Sequence, residues 1–173
     1  MSADAHIQHV NVNVDDLATA VVFYRDVLGL ALDPTPDQGF ESQFFRINEH
    51  QQIHMNVLRD ARPYRGHFCI EVSDFMGVFA RAKAAGAIDV QAWGRVRALP
   101  SGKMQMFVRD PHGNLIEIAS SPGARIDPAL FRDELVEPEP GVYRMAPGAS
   151  VGAHETDRGG AESAEVRGEK KRS

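Results

Sequence analysis

The sequence predicts an α+β fold in which one βαβββ unit is used twice. A shift of 58 residues places residues 9–17 on residues 67–75 with the same pattern of apolar and polar positions. Each copy starts as a strand and continues as an amphipathic helix. After residue 137 the composition changes, because glycine, proline and charged residues replace large apolar ones. We therefore expect two modules, at about 6–60 and 66–119, and a flexible tail over residues 138–173.

A histidine, His9 or His67, opens the first strand of each copy. Every second residue after it is apolar: Val10, Val12 and Val14 in one copy, and Phe68, Ile70 and Val72 in the other. Since side chains alternate between the two faces of a strand, both histidines are expected on the face opposite the apolar residues. The apolar face would pack on the helices, so the histidines point away from them.

Each predicted helix has an acidic residue or a serine before it and a glycine after it. Apolar residues recur at helical spacing between these ends: Leu17, Val21, Tyr24 and Leu28 before Gly29, and Phe75, Phe79 and Ala82 before Gly86. Further strands are predicted over residues 41–48, 52–58, 103–109 and 115–119, with shorter ones near 30–32 and 90–93. Neither copy has enough apolar surface to be stable alone. We therefore expect both to curve their strands around one shared cleft, in a single domain over residues 6–120.

Length, composition and charge limit the function classes. The chain has 173 residues, 43% of them hydrophobic and 25% charged, which is ordinary for one globular domain. Cys69 is the single cysteine, so a disulfide framework and a cysteine-rich zinc module are excluded. The net charge is −5 and no basic run is longer than residues 170–172, which argues against a nucleic-acid partner. No apolar run reaches the ~18 residues of a membrane span, and the first ten residues lack the apolar core of a signal peptide. We expect a cytoplasmic protein with no membrane partner.

Four predicted strands each place one metal-ligating side chain opposite their apolar residues: His9, His54, His67 and Glu117. His9 and His67 occupy the first strand of each copy, while His54 and Glu117 occupy the last. A pseudo-two-fold axis between the copies would bring all four together. Imidazole and carboxylate ligands suit Fe, Mn, Ni or Zn better than Mg or Ca, which prefer all-oxygen shells. The pattern therefore predicts a divalent metal in the cleft.

Four short motifs stand out along the chain: HVNVNV at residues 9–14, FYRDVLGL at 23–30, GHFC at 66–69 and DPHGNLIE at 110–117. Together they resemble the signatures of the vicinal oxygen chelate superfamily. This superfamily includes glyoxalase I, fosfomycin-resistance enzymes, bleomycin-resistance proteins and extradiol dioxygenases. The resemblance covers about residues 6–120 and implies a glyoxalase-like fold, with its curved sheets forming a metal cleft.

The resemblance also implies roles for the candidate residues. His9, His67 and Glu117 would form the two-histidine, one-carboxylate metal set of the extradiol dioxygenases, with Fe(II) favoured and Ni, Zn or Mn as alternatives. His54 would be a fourth ligand, as in glyoxalase-like and epimerase-like members, or an acid/base acting on bound oxygen, as in extradiol enzymes. In the glyoxalase-like alternative, Glu117 would shuttle a proton.

Two positions depart from the extradiol pattern, since Phe107 stands where those enzymes have a tyrosine and Val96 where they have a histidine. Substrate contacts are expected from Arg95, Arg97, Phe107 and Arg109, with the arginines gripping a carboxylate. Residues 121–137 are expected to cover the cleft. His112, in a Pro-His-Gly turn, is expected to be exposed to solvent.

The sequence thus predicts a mononuclear metalloenzyme whose partner is a small molecule with vicinal oxygens. The first hypothesis is an extradiol-type dioxygenase that opens the ring of a catechol. A glyoxalase I-like lyase or isomerase is the second, and a metal-free drug-binding resistance protein is the third. A homodimer is left open.

Overall fold

The computed structural model describes residues 6–63, 65–90, 95–99 and 101–137. The first module comprises strand β1 (His9–Val14), helix α1 (Leu17–Val22) with a π-helical turn at Phe23–Val27, and strands β2 (Ala31–Asp33), β3 (Ser42–Arg46) and β4 (Gln52–Val57). The second comprises strand β5 (His67–Val72), helix α2 (Phe75–Ala84) and strands β6 (Arg97–Ala98), β7 (Met104–Arg109) and β8 (Leu115–Ser120). A 3-10 helix follows at Pro128–Arg132.

Each module forms a four-stranded sheet from its described residues, and both sheets have the same plan. The strand order is β1-β4-β3-β2 in the first and β5-β8-β7-β6 in the second. The first and last strands of each module are parallel, and the other pairs are antiparallel. The register of the parallel strands is also the same: Asn11 lies opposite His54 in the first module, and Cys69 lies opposite Glu117 in the second. The predicted α+β fold of two βαβββ modules is confirmed.

Both modules contribute to one hydrophobic core. Helix α1 begins after Asp16 and helix α2 after Asp74, and the carboxylate of each accepts a hydrogen bond from a backbone N–H of the first turn. The helices pack on the apolar faces of the sheets, and the buried cluster includes Val12, Tyr24, Met55, Phe75 and Ile118. The opposite face of each sheet carries the polar residues of the strands, including the four candidate ligands, as the alternation predicts.

A buried hydrogen bond links the modules. The hydroxyl of Tyr24, in the π-helical turn of the first module, donates to Asp110 Oδ2 at 3.1 Å. Asp110 opens the turn between β7 and β8, and it also accepts from the side-chain amide of Asn114 at 2.9 Å. A polar turn of the second module is thereby fixed to the helical segment of the first.

Residues 127–137 lie along helix α2 and the outer edge of the second sheet. Leu130 is buried in the core, and Lys83 of α2 forms an ion pair with Asp133 at 2.6 Å. The N–H of Val96 donates to the carbonyl of Leu135 at 2.8 Å, which extends the sheet edge beyond β6. These contacts fix the segment's position, and its role as a cover for the cleft stays a prediction.

Some predicted elements are only partly described. The short strand expected near 30–32 is present as β2, whereas residues 91–93 of the strand expected near 90–93 lie outside the described residues. The tail over residues 138–173 lies outside them as well. Within the described part of the chain, no helix combines the length and apolar character needed to cross a membrane.

Candidate metal centre

An imidazole and a carboxylate meet on the polar face of the second sheet. His67 on β5 and Glu117 on β8 are two residues apart in register and so share one face of the sheet, and His67 Nε2 lies 3.1 Å from Glu117 Oε2. The side chain of His67 is 34% exposed and that of Glu117 is 16% exposed, so the pair faces the cleft from a mostly covered position. The ring of Phe107 stands edge-on to the His67 ring, with centroids 5.1 Å apart. The pair therefore has one apolar wall.

Gln105 holds the same carboxylate from the neighbouring strand β7. Its Nε2 donates to Glu117 Oε1 at 2.5 Å, while the residue is only 5% exposed. Its Oε1 is buried and makes no hydrogen bond within the described residues. Gln105 is not among the site residues predicted from the sequence. The available signal was a polar residue between Met104 and Met106, on the same strand face as Phe107.

Three aromatic rings stack in the first sheet, at the strand positions that correspond to His67, Glu117 and Phe107 of the second. The ring centroids of His9 and His54 are 4.1 Å apart, and those of His54 and Phe44 are 3.7 Å apart, with nearly parallel planes in both pairs. Phe44 lies opposite His54 in register, as Phe107 lies opposite Glu117. The two modules therefore present a His-His-Phe set and a His-Glu-Phe set at matching strand positions.

Glutamine side chains form hydrogen bonds with both stacked imidazoles. Gln8 Oε1 lies 2.5 Å from His9 Nδ1, and Gln52 Oε1 lies 2.9 Å from His54 Nε2. An amide oxygen can only accept, so the contacted nitrogen of each ring is the donor in these hydrogen bonds. Burial lowers the pKa of His54, and the neighbouring His9 lowers it further. His54 is therefore neutral at pH 7.

His9 and His67 line one cavity of about 410 Å³ between strands β1 and β5, together with Cys69. Loss of hydration raises the pKa of the Cys69 thiol to about 12, and the negative charge of Glu117 adds to the effect. The described residues contain no group of three or more His, Cys, Asp or Glu side chains close enough to hold a metal ion. The structure thus brings the candidates together as two pairs, and convergence of all four on one ion stays a prediction.

The predicted substrate arginines have partners within the protein. Arg95 Nη1 donates to the carbonyl of Glu134 at 2.6 Å, and Arg97 pairs with Glu137 at 2.9 Å. Both are thus engaged with the segment at the outer edge of the second sheet. Arg109 pairs through Nε with Asp89 at 2.6 Å. Substrate contacts by these arginines and by Phe107 stay predictions.

The expectation that His112 is exposed is wrong. Its side chain is 10% exposed, its Nδ1 forms an ion-pair contact with Asp15, and its Nε2 lies 3.4 Å from Thr19 Oγ1. Both partners belong to the start of helix α1 in the first module. The local turn sequence could not reveal them, because they are about a hundred residues away along the chain.

Residues 6–118 match a family model described as the Glyoxalase/Bleomycin resistance protein/Dioxygenase superfamily. The chain belongs to this superfamily. Virulence protein STM3117 of Salmonella typhimurium is 31% identical over 119 residues, which cover 65% of this chain and 82% of that protein. An ethylmalonyl-CoA/methylmalonyl-CoA epimerase of Cereibacter sphaeroides is 29% identical over 128 residues, which cover 65% of this chain and 95% of the epimerase. The crystal structure of a glyoxalase family protein from Bacillus anthracis, 23% identical, has the same fold, with a TM-score of 0.56 over 70% of this chain and 99% of that one.

Members of the superfamily typically depend on a divalent metal. The donor set of this chain fits such an ion, because imidazole nitrogens and a carboxylate oxygen are the ligands that first-row transition metals take. The hydrogen bonds of Gln8 to His9 and of Gln105 to Glu117 are of the kind that orients metal-ligating side chains from outside the ligand set.

Proposed function

We propose that the chain is a mononuclear metalloenzyme that acts on a small molecule with two adjacent oxygens, and that it opens the ring of a catechol in an extradiol-type reaction. The observation that carries the proposal is the His67–Glu117 contact at the strand positions that His9 and His54 occupy in the other module. His9, His67 and Glu117 would hold the metal. When bound, Fe(II) supplies Lewis-acid and redox chemistry to the substrate oxygens and to O₂.

His54 is suited to move a proton in this reaction. Its ring lies flat between His9 and Phe44, so its orientation is fixed. The lowered pKa keeps it neutral at pH 7, and its Nδ1 lone pair can accept the proton of a substrate hydroxyl. A neutral base beside the ligand set is what the acid/base role requires.

The surrounding side chains would orient the ligands and limit access of water. Phe107 covers the edge of the His67 ring, and Phe44 covers one face of His54. Gln105 holds Glu117 Oε1 and leaves Oε2 directed at His67. An apolar wall on each side would favour a planar aromatic substrate.

A glyoxalase I-like lyase or isomerase is the second candidate. It is favoured by the relative named as an epimerase, since epimerisation also moves a proton on a carbon beside an oxygen-bearing group. In this case His54 would be a fourth ligand, and Glu117 would shuttle the proton.

An oxygen electrode distinguishes the two candidates. Iron-loaded protein, prepared without air, is offered a panel of catechols, and we expect oxygen uptake together with a coloured ring-opened product. His54→Ala should keep iron and lose most turnover if His54 is the base, whereas loss of both iron and turnover would make it a ligand. Absence of oxygen uptake with every catechol, combined with isomerisation of a thiol adduct of a 2-oxoaldehyde, would favour the second candidate.

A further inference from the structure

The connection between the two modules carries arginines that the candidate metal centre does not use. Arg62 and Arg65 lie between β4 and β5 and line a cavity of about 560 Å³. The other lining residues are Pro63, Arg109 and Leu115. Three of the five described residues that line this cavity are therefore arginines, in a chain whose net charge is −5.

This arginine cavity continues toward the candidate metal centre. A second cavity, of about 420 Å³, shares Arg62 and Leu115 with it and is also lined by His67. His67 and Leu115 are direct partners in the register of strands β5 and β8. The arginines thus stand next to the cleft, at the end of the sheet where His67 begins its strand.

Most of the positive charge in the arginine cavity has no partner in the described chain. Arg109 is engaged, because its Nε pairs with Asp89 and its Nη1 donates to the carbonyl of Gly113. Arg62 and Arg65 make no side-chain hydrogen bond or ion pair with a described residue. Like charges around one cavity repel, and an anion that binds between them removes that repulsion.

Pro63, the neighbour of Arg62 in this loop, lies close to the turn between β7 and β8. A Cβ atom on Gly113 would lie 3.2 Å from Pro63 Cγ, so only glycine fits there without displacing the loop. Gly113 also has φ of +84°, a conformation that favours glycine. The β7–β8 turn therefore contacts the loop at Pro63, next to Arg62.

We infer that Arg62, Arg65 and Arg109 form an anion subsite, and that the substrate carries a carboxylate or phosphate group in addition to its two adjacent oxygens. The guanidinium group pairs with both anions through two parallel hydrogen bonds, which a neutral substituent cannot match. The two adjacent oxygens of the substrate rest on the proposed function, whereas its anionic group is inferred from the arginine cavity alone.

Binding of simple anions to metal-free protein tests the subsite without any reaction. Phenyl phosphate and benzoate are titrated at constant ionic strength and followed by protein NMR, with phenol as the neutral probe. We expect saturable binding of one or both anions, about tenfold or more weaker in Arg62→Gln and in Arg65→Gln, and no binding of phenol. Arg59→Gln, in the same loop but outside the cavity lining, should bind like wild type. The anion that binds more tightly identifies the anionic group of the substrate as a phosphate or a carboxylate.

The outcomes separate this inference from the proposed function. If Glu117→Gln still binds the anion while iron-loaded wild type consumes no oxygen, the subsite is supported and the dioxygenase is refuted. Oxygen uptake that is equally efficient with neutral and carboxylated catechols, and unaffected by Arg62→Gln, would refute the subsite alone. Anion binding that is equal in wild type, Arg62→Gln and Arg65→Gln would also overturn it.

Discussion

Replacing Tyr24 by phenylalanine removes one hydroxyl from the hydrogen bond that links the two modules. Tyr24 is 0% exposed, and its hydroxyl bonds to a carboxylate that is itself buried. A hydrogen bond to a charged group contributes about 1.5–3 kcal/mol. Asp110 Oδ2 keeps its bond from Asn114 in the variant, so no acceptor is left alone and the lower part of that range applies. We expect the free energy of unfolding to fall by about 1.5–2 kcal/mol and Tm to fall by about 6 °C.

Urea and thermal unfolding of metal-free protein measure this loss. Asp110→Ala should be worse, by about 3 kcal/mol or more, because the Tyr24 hydroxyl, two backbone N–H groups and the Asn114 amide all lose the carboxylate to which they donate. Asp26→Asn serves as the control, since its ion pair with Arg25 is about half exposed, and no measurable change is expected. Unchanged stability of Tyr24→Phe, with Asp110→Ala destabilised, would refute the idea that the hydroxyl links the modules.

Three further predictions concern Tyr24, Gln105 and Cys69. Burial raises the pKa of Tyr24, and the charge of Asp110 raises it further. The stability that the neutral hydroxyl contributes is therefore full below about pH 10 and falls as the pH rises further. In urea titrations, Tyr24→Phe should lose less stability than wild type as the pH is raised above about 10. Gln105→Met should weaken metal binding about 10–100-fold in chelator competition, with circular dichroism in EDTA to confirm that the variant is folded. The control Gln43→Met should bind the metal like wild type. In EDTA at pH 8, iodoacetamide should alkylate Cys69 at least about tenfold more slowly in folded than in denatured protein, and equal rates would contradict the raised pKa.

The alternation of side chains along the strands explains which residues of the site could be predicted from the sequence. The alternation of apolar and polar residues identified His9, His54, His67 and Glu117 as residues of one face, and the 58-residue repeat paired their positions. The contact of His67 with Glu117 and the stacking of His9 on His54 both follow from neighbouring strands in that plan.

Contacts between distant segments could not be predicted in this way. The burial of His112 depends on Asp15 and Thr19 of the other module, and the turn sequence alone resembles an exposed one. Arg62 and Arg65 belong to a loop without periodicity, so nothing in the sequence indicated the cavity that they share with Arg109. Gln105 was hidden between apolar neighbours, and its role depends on the register of β7 against β8.

Metal retention in Glu117→Ala tests whether this carboxylate holds the metal. Wild-type and variant protein are loaded with Fe(II) without air, dialysed, and analysed for metal, with circular dichroism to confirm that the variant is folded. We expect one iron per chain in wild type and loss of most iron in the variant, because two histidines alone do not complete the ligand set. Full metal occupancy of folded Glu117→Ala after dialysis would contradict it.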